Sequence, residues 1–349
     1  MSVRKFWRLY TIITSVLIVA LIAGSLTYYF MHDGKSSVHA DFQFEPRRDT
    51  DITNSEVLAI AKKSNGNLLI GGSFSYVGPE RRGGVWIDPT TQAEKNFPKF
   101  NDSVFSIISD GNGGWYVGGR FDKVGGQVRN RVVRIQSNGT IDPTFTPPAF
   151  AANSRVLDLL LNGSTLYVVG DFSQIDGVSQ RGFGALNATT GARLAVASPL
   201  LDGFGIKLSL NSGFIYLGGS FMNVTGSLFR PSLVRLNAST HALDTTWAPN
   251  PNSAVQAIAH SADGNTLYIG GGFSSAGLQP RSNVAAVNSA AGSTGAATLW
   301  NPGGNGSVQD LIRVGSTLYA SGTFTSLGGS TRNFIAALDT TVNTNNALP

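Results

Sequence analysis

Gly118-Gly119-Arg120-Phe121 opens the most regular stretch of the chain. It runs on through Val124-Gly125-Gly126, Arg129-Asn130-Arg131-Val132-Val133-Arg134-Ile135 and Asn138-Gly139-Thr140-Ile141-Asp142 to Phe145. The opening four residues recur at Gly71-Gly72-Ser73-Phe74, Val169-Gly170-Asp171-Phe172, Gly218-Gly219-Ser220-Phe221, Gly270-Gly271-Gly272-Phe273 and Ser321-Gly322-Thr323-Phe324. The third copy departs from the pattern by starting with Val169. Successive phenylalanines are 47, 51, 49, 52 and 51 residues apart, which makes six copies. A fixed period of this size marks a repeat architecture built from one supersecondary unit.

Each copy reads as four short strands. The first begins near Val57, Val104, Val156, Gly205, Val255 and Val308. A tight turn follows, as in Asn65-Gly66, Asp110-Gly111, Asn162-Gly163 and Asp263-Gly264, whose residues tolerate the positive φ angles of two-residue hairpins. The second strand ends in the glycine pair, where a missing side chain lets another backbone come close. Runs such as Val132-Val133-Arg134-Ile135 and Ile335-Ala336-Ala337-Leu338 form the third. A short fourth ends on an aromatic near a proline: Phe97-Pro98, Phe145 with Pro147, Trp247 with Pro249, Trp300 with Pro302. Four-stranded units at this spacing predict an all-β, six-bladed β-propeller over residues 41–349. The sixth unit runs out at Pro349 before an aromatic, while Phe44 with Pro46 precedes the first. Strand 41–46 is therefore expected to complete the sixth blade and close the ring.

The second copy resembles the delta-60-repeat β-propeller family of exported bacterial proteins, and the others follow it more loosely. The double glycine is also kelch-like. Leu186-Asn187-Ala188-Thr189-Thr190-Gly191 is similar to quinoprotein-type repeats, but it occurs well formed once, so no cofactor is expected. The resemblance implies a fold and an export route, and it carries over no catalytic residues.

Leu9 to Phe30 is an uncharged, nearly unbroken apolar run of 22 residues. At about 1.5 Å per residue it spans a bilayer core of about 30 Å. Arg4, Lys5 and Arg8 precede it, so the positive-inside rule leaves residues 1–8 cytoplasmic and exports the rest past a linker at 31–40. The expected placement is a single-pass cell-membrane protein whose propeller is extracytoplasmic, with the bilayer as partner of residues 9–30. The alternative is a signal peptide cleaved after Ala40, giving a secreted protein.

The chain has no cysteine, which excludes disulfides and thiolate metal sites. Charged residues make up 13%, about half the common share, and suit a loop-rich β surface. Most of the net charge of +5 comes from the N-terminal segment, so no basic stripe for nucleic acid is apparent. His241 and His260 show no metal-ligand spacing, and no metal is expected. Asp110-Gly111-Asn112-Gly113-Gly114 starts like a calcium loop but lacks the late glutamate. Arginines recurring after each Phe (Arg81 or Arg82, Arg129, Arg181, Arg230, Arg281, Arg332) are expected to brace loop carbonyls within each unit.

Departures from the repeat are the better functional pointers. The third position of the first strand runs Ala59, Ser106, Asp158, Lys207, Ala257, Asp310. The variable position of the glycine motif runs Ser73, Arg120, Asp171, Ser220, Gly272, Thr323. Arg120, Asp158, Asp171 and Lys207 thus become candidates at a channel mouth, against the plainer reading of salt bridges between blades. The pattern suggests a binding, adhesion or scaffolding module for a protein or glycan partner. The rival is a polysaccharide hydrolase or lyase acting at the same mouth, although no catalytic residue is identifiable and hydrolytic or redox activity is not expected.

Overall fold

The computed structural model describes residues 57–62, 68–72, 84–87, 94–95, 97–196 and 199–349. The expected membrane helix at 9–30, its flanks at 1–8 and 31–40, and the closing strand 41–46 lie outside the described residues. Among those described, no helix is long and apolar enough to cross a membrane.

The described chain is built from β-strands joined by turns, in the expected repeat. The first sheet is a four-stranded meander of Val57–Lys62, Leu68–Gly72, Gly84–Ile87 and Glu94–Lys95. Five antiparallel sheets of three strands follow. The second holds Val104–Ser109, Trp115–Gly119 and Val132–Ile135, and the third holds Arg155–Asn162, Thr165–Asp171 and Phe183–Asn187. The fourth holds Phe204–Asn211, Phe214–Ser220 and Leu233–Asn237, the fifth Val255–His260, Thr266–Gly271 and Val284–Asn288. The sixth holds Val308–Val314, Thr317–Gly322 and Ile335–Asp339. The first strands of successive sheets lie side by side in chain order, so the sheets radiate from a common axis.

The fourth position shrinks to one bridged residue in these five sheets: Ile135 with Ile141, Leu186 with Arg193, Leu236 with Leu243, Val287 with Ala297, and Leu338 with Ala347. The last pair corrects the expectation that the sixth unit lacks its outer strand: its own C-terminal residues reach the bridged position, and the aromatic that follows it in the fifth unit, Trp300, is the part they do not supply. Between the second and third strands each of these five sheets also carries a small hairpin, such as Lys123–Val124 with Gln127–Val128. The segment leaving one sheet bridges the next sheet's hairpin, as Phe100 does with Val124 and Phe150 with Ile175.

There is no single central core. Apolar residues are buried in slabs between neighbouring sheets. One slab joins Tyr116, Val132 and Phe145 of the second sheet to Val156, Leu159 and Phe172 of the third. Aromatics lock the slabs: Tyr216 meets Trp247 edge-on at 5.5 Å, and Trp247 Nε1 donates to the Asn288 carbonyl of the next sheet at 2.8 Å. Trp300 repeats the arrangement with Tyr268 and the Asp339 carbonyl. Three of the recurring arginines act as the expected braces. Arg281 donates to the carbonyls of Pro280 and Thr298, Arg332 to those of Thr331 and Leu348, and Arg230 to those of Phe229 and Thr245.

The two glycines of the motif have separate reasons. A side chain on the second would strike backbone: a Cβ on Gly271 would sit 2.0 Å from the Ala254 carbonyl oxygen, and one on Gly322 2.0 Å from that of Ser307. The first glycine instead receives the leading valine of the next sheet. A Cβ on Gly118 would lie 2.8 Å from Val156 Cγ1, one on Gly218 2.8 Å from Val255 Cγ1, and one on Gly270 2.6 Å from Val308 Cγ1. The third copy reverses the pair. Val169 stands where glycine is expected, Gly205 replaces the facing valine, and a Cβ there would lie 2.8 Å from Val169 Cβ. Two departures that look independent in the sequence are one exchange of knob and hole.

This exchange sets a test. Gly205→Val should destabilise by about 1–3 kcal/mol through overpacking, and Val169→Gly by a comparable amount through lost packing. The double substitution restores the arrangement of the other interfaces, so denaturant titration should give a favourable coupling of roughly 1–3 kcal/mol. Additive losses would refute the pairing.

Candidate functional site

The six first strands share an irregularity with no evident sequence mark. Their register slips between Val57 and Ala59, Val104 and Ser106, Val156 and Asp158, Gly205 and Lys207, Val255 and Ala257, and Val308 and Asp310. A β-bulge adds an unopposed residue, bends the strand and re-aims its side chains. The residue just after the slip is the variable third position.

At that level three sheets meet on Asp158. Its Oδ1 accepts from Ser106 Oγ at 2.9 Å, its Oδ2 from the Leu208 amide at 2.9 Å, and Lys207 Nζ stands 3.8 Å from Oδ2. Asp158 is 8% exposed, whereas the Lys207 side chain keeps 36% although protein surrounds it, as for a group facing a narrow channel. Asp310 joins from the sixth sheet. Asp158 and then Asp310 raise the Lys207 pKa against the opposing effect of burial. For Asp310, burial pushes the carboxyl up, Lys207 pulls it down, and the net direction is up. Charges from the third, fourth and sixth sheets can interact only if those sheets converge on one axis.

The other two candidates sit elsewhere and do not pair with each other. Arg120 forms two bonds to Asp102, at 2.9 and 3.0 Å. Asp171 pairs with Arg155 at 2.8 Å, its register partner in the same sheet. Both pairs are largely exposed and lie where the first strands begin, whereas Asp158 and Lys207 come further along those strands. The plainer reading fits Asp158, whose oxygens are engaged across sheets. Arg120 and Asp171 are paired within their own sheets.

Asp110 spends its carboxylate on the amides of Asn112 and Gly114, each at 2.8 Å, and on Arg134 at 2.8 Å, so the calcium-like loop is a braced turn. Among the described residues no group of His, Asp and Glu is placed to hold a metal. Both blade histidines have partners in neighbouring sheets: His241 Nε2 lies 2.6 Å from Tyr167 Oη, and His260 Nε2 lies 2.6 Å from Ser209 Oγ. Sequence reasoning missed Arg235. It is fully buried between the rings of Phe214 and Trp247, bonds Asp244 at 2.8 Å, and donates to the Ser289 carbonyl of the fifth sheet at 2.8 Å. The matching Arg134 and Asp142 of the second copy were the available signal.

Comparisons agree with this β-propeller. The family model described as "Domain of unknown function (DUF5122) beta-propeller" matches residues 111–145, the regular stretch with which the repeat was recognised. No curated protein matches the sequence. Among solved structures, the computationally designed Ika8 protein is similar at 12% identity and TM-score 0.50, covering 86% of this chain and 88% of that one. A chain of the Mitotic Checkpoint Complex is similar at 15% identity and TM-score 0.54, covering 85% and 82%. The extracellular domain of a B. thetaiotaomicron protein described as the hybrid two component system BT3049 is similar at 14% identity and TM-score 0.50. It covers 83% of this chain, which spans 34% of that one. At these identities the likeness is one of fold.

Two outcomes follow from the site. Asp158→Ala leaves Ser106, the Leu208 amide and Lys207 without their acceptor and should cost about 2–4 kcal/mol in denaturant titration. Asp158→Asn keeps an acceptor and should cost less. The second concerns acid. Burial lowers the His260 pKa from 6.5 to about 4, and its buried Nδ1 has no partner. Above pH 6.5 the ring is neutral in both states and contributes nothing. Between 6.5 and 4 the unfolded chain takes the proton first, so stability falls as pH falls. Melting temperature should drop through that window, and His260→Gln should flatten part of the drop. Parallel curves for both proteins would refute the assignment.

Proposed function

We propose that this chain is a six-bladed β-propeller, anchored by Leu9–Phe30 on the outer side of a cell membrane, that binds a protein or glycan partner at its channel mouth. The carrying observation is the convergence of Asp158, Lys207 and Asp310 from three sheets, with Lys207 still accessible. A cation held in a polar channel, with Arg120 and Asp171 at one of its openings, offers a ligand's carboxylate or hydroxyl groups a charge-assisted bond. The fold likeness to an extracellular domain supports an exported module. Closure by residues 41–46 belongs to this reading. Phe44 and Pro46 have the spacing of Trp300 and Pro302, and the sixth sheet keeps the brace from Arg332 to Leu348 that precedes that aromatic in the fifth.

The test is binding of the full-length protein, in detergent, to protein and glycan arrays. Lys207→Ala should weaken a detected ligand roughly tenfold or more, the worth of a charged hydrogen bond of about 1.5–3 kcal/mol. Turnover of a polysaccharide that is abolished by Asp158→Asn would replace this reading with the hydrolase or lyase.

A further inference from the structure

The two ends of the sheets differ in chemistry. One end carries the small hairpins, in the connections 120–131, 172–182, 221–232, 272–283 and 323–334. These hold eight basic and two acidic residues, with Asp171 just before one of them and Asp102 and Asp202 beside the hairpins at the same end. Among the described residues, the turns between first and second strands at the opposite end hold Asp110 and Asp263 and neither lysine nor arginine.

Apolar exposure is heavier at the hairpin end, although Val314 and Val342 are exposed at the other. Val128, Val178, Phe229 and Leu278 project from four successive hairpins, at 63, 43, 52 and 84% exposure. Leu200 and Leu299 flank them at 43 and 79%. Leu278 stands out because its φ is +65°, in left-handed backbone that Gly126, Gly177, Gly226 and Gly329 occupy in the other hairpins. A leucine kept at a glycine position while almost wholly exposed points to a role outside the fold.

We propose that the hairpin end is a membrane-docking face that lies against an anionic bilayer surface, its leucines and Phe229 entering the interface and its arginines meeting phosphate groups. Apolar tips ringed by arginine fit that surface, as in interfacial anchors. Each first strand begins at the hairpin end, as Val57 does opposite Gly72, and Leu9–Phe30 precede it in the sequence. The proposal rests on the anchoring of Leu9–Phe30 and adds to it an orientation, in which the ligand reaches Lys207 through the channel opening that faces away from the membrane.

The absence of cysteine makes the test direct. Full-length Leu278→Cys, Phe229→Cys and Asn112→Cys, each carrying an environment-sensitive fluorophore, are reconstituted into phosphatidylcholine vesicles with or without phosphatidylglycerol. Lipid-borne nitroxide should quench the first two labels several-fold more than the third, and more so with phosphatidylglycerol. Arg281→Glu together with Arg129→Glu should reduce that quenching at Phe229→Cys. Equal access of aqueous iodide to all three labels, or preferential lipid quenching at Asn112→Cys, would overturn the docking face. Carbonate extraction of the same vesicles separates the two ideas. Protein that stays in the membrane with unquenched labels sinks the face and leaves the anchor standing. Protein that is extracted, with unquenched labels, sinks both.

Discussion

The structure depends on how closely neighbouring sheets approach near their common axis. There the leading valine of one sheet enters the space over the first glycine of the previous sheet, where any side chain would clash. The second glycine brings its strand against the backbone of its own sheet's inner strand. Both contacts are steric, and close-packed interiors tolerate little change of volume. The slabs of apolar packing, the Tyr and Trp locks and the shared bulges assume that spacing. The interface between the third and fourth sheets shows what is constrained. The positions of valine and glycine are exchanged, and the fit survives because the pair, rather than either residue, meets the requirement.

Polar interactions are laid over this frame at two depths. Deep in the channel, Asp158 ties three sheets together through Ser106, Leu208 and Lys207. Towards the outside, Arg235 does the same between two sheets, stacked on aromatic rings with its charge matched by Asp244. In both places a buried charge is kept because an opposite charge and partners from a neighbouring sheet satisfy it. Lys207 differs in that its side chain stays partly accessible.

The sequence by itself determined the repeat, the strand order within each unit, the turns and the arginine braces. All of these are local, set by glycine, proline and alternation over a few residues. It also marked the variable channel positions. It did not show which charges meet. Arg120 and Asp171, taken as possible partners, each pair within their own sheet, while Asp158 and Lys207 do meet between neighbouring sheets. The sixth sheet's outer bridge at Ala347 was missed because one bridged residue leaves no strand pattern.

What only the tertiary structure decided is whatever depends on residues about fifty positions apart being brought into contact. The register slip in each inner strand, the exchange of Val169 and Gly205, the cluster of Asp158, Lys207 and Asp310, and the gathering of exposed apolar tips and arginines at one end arise between units. Local propensity acts over a few residues, so it can specify each unit; only packing the units around an axis determines which of their side chains share a place.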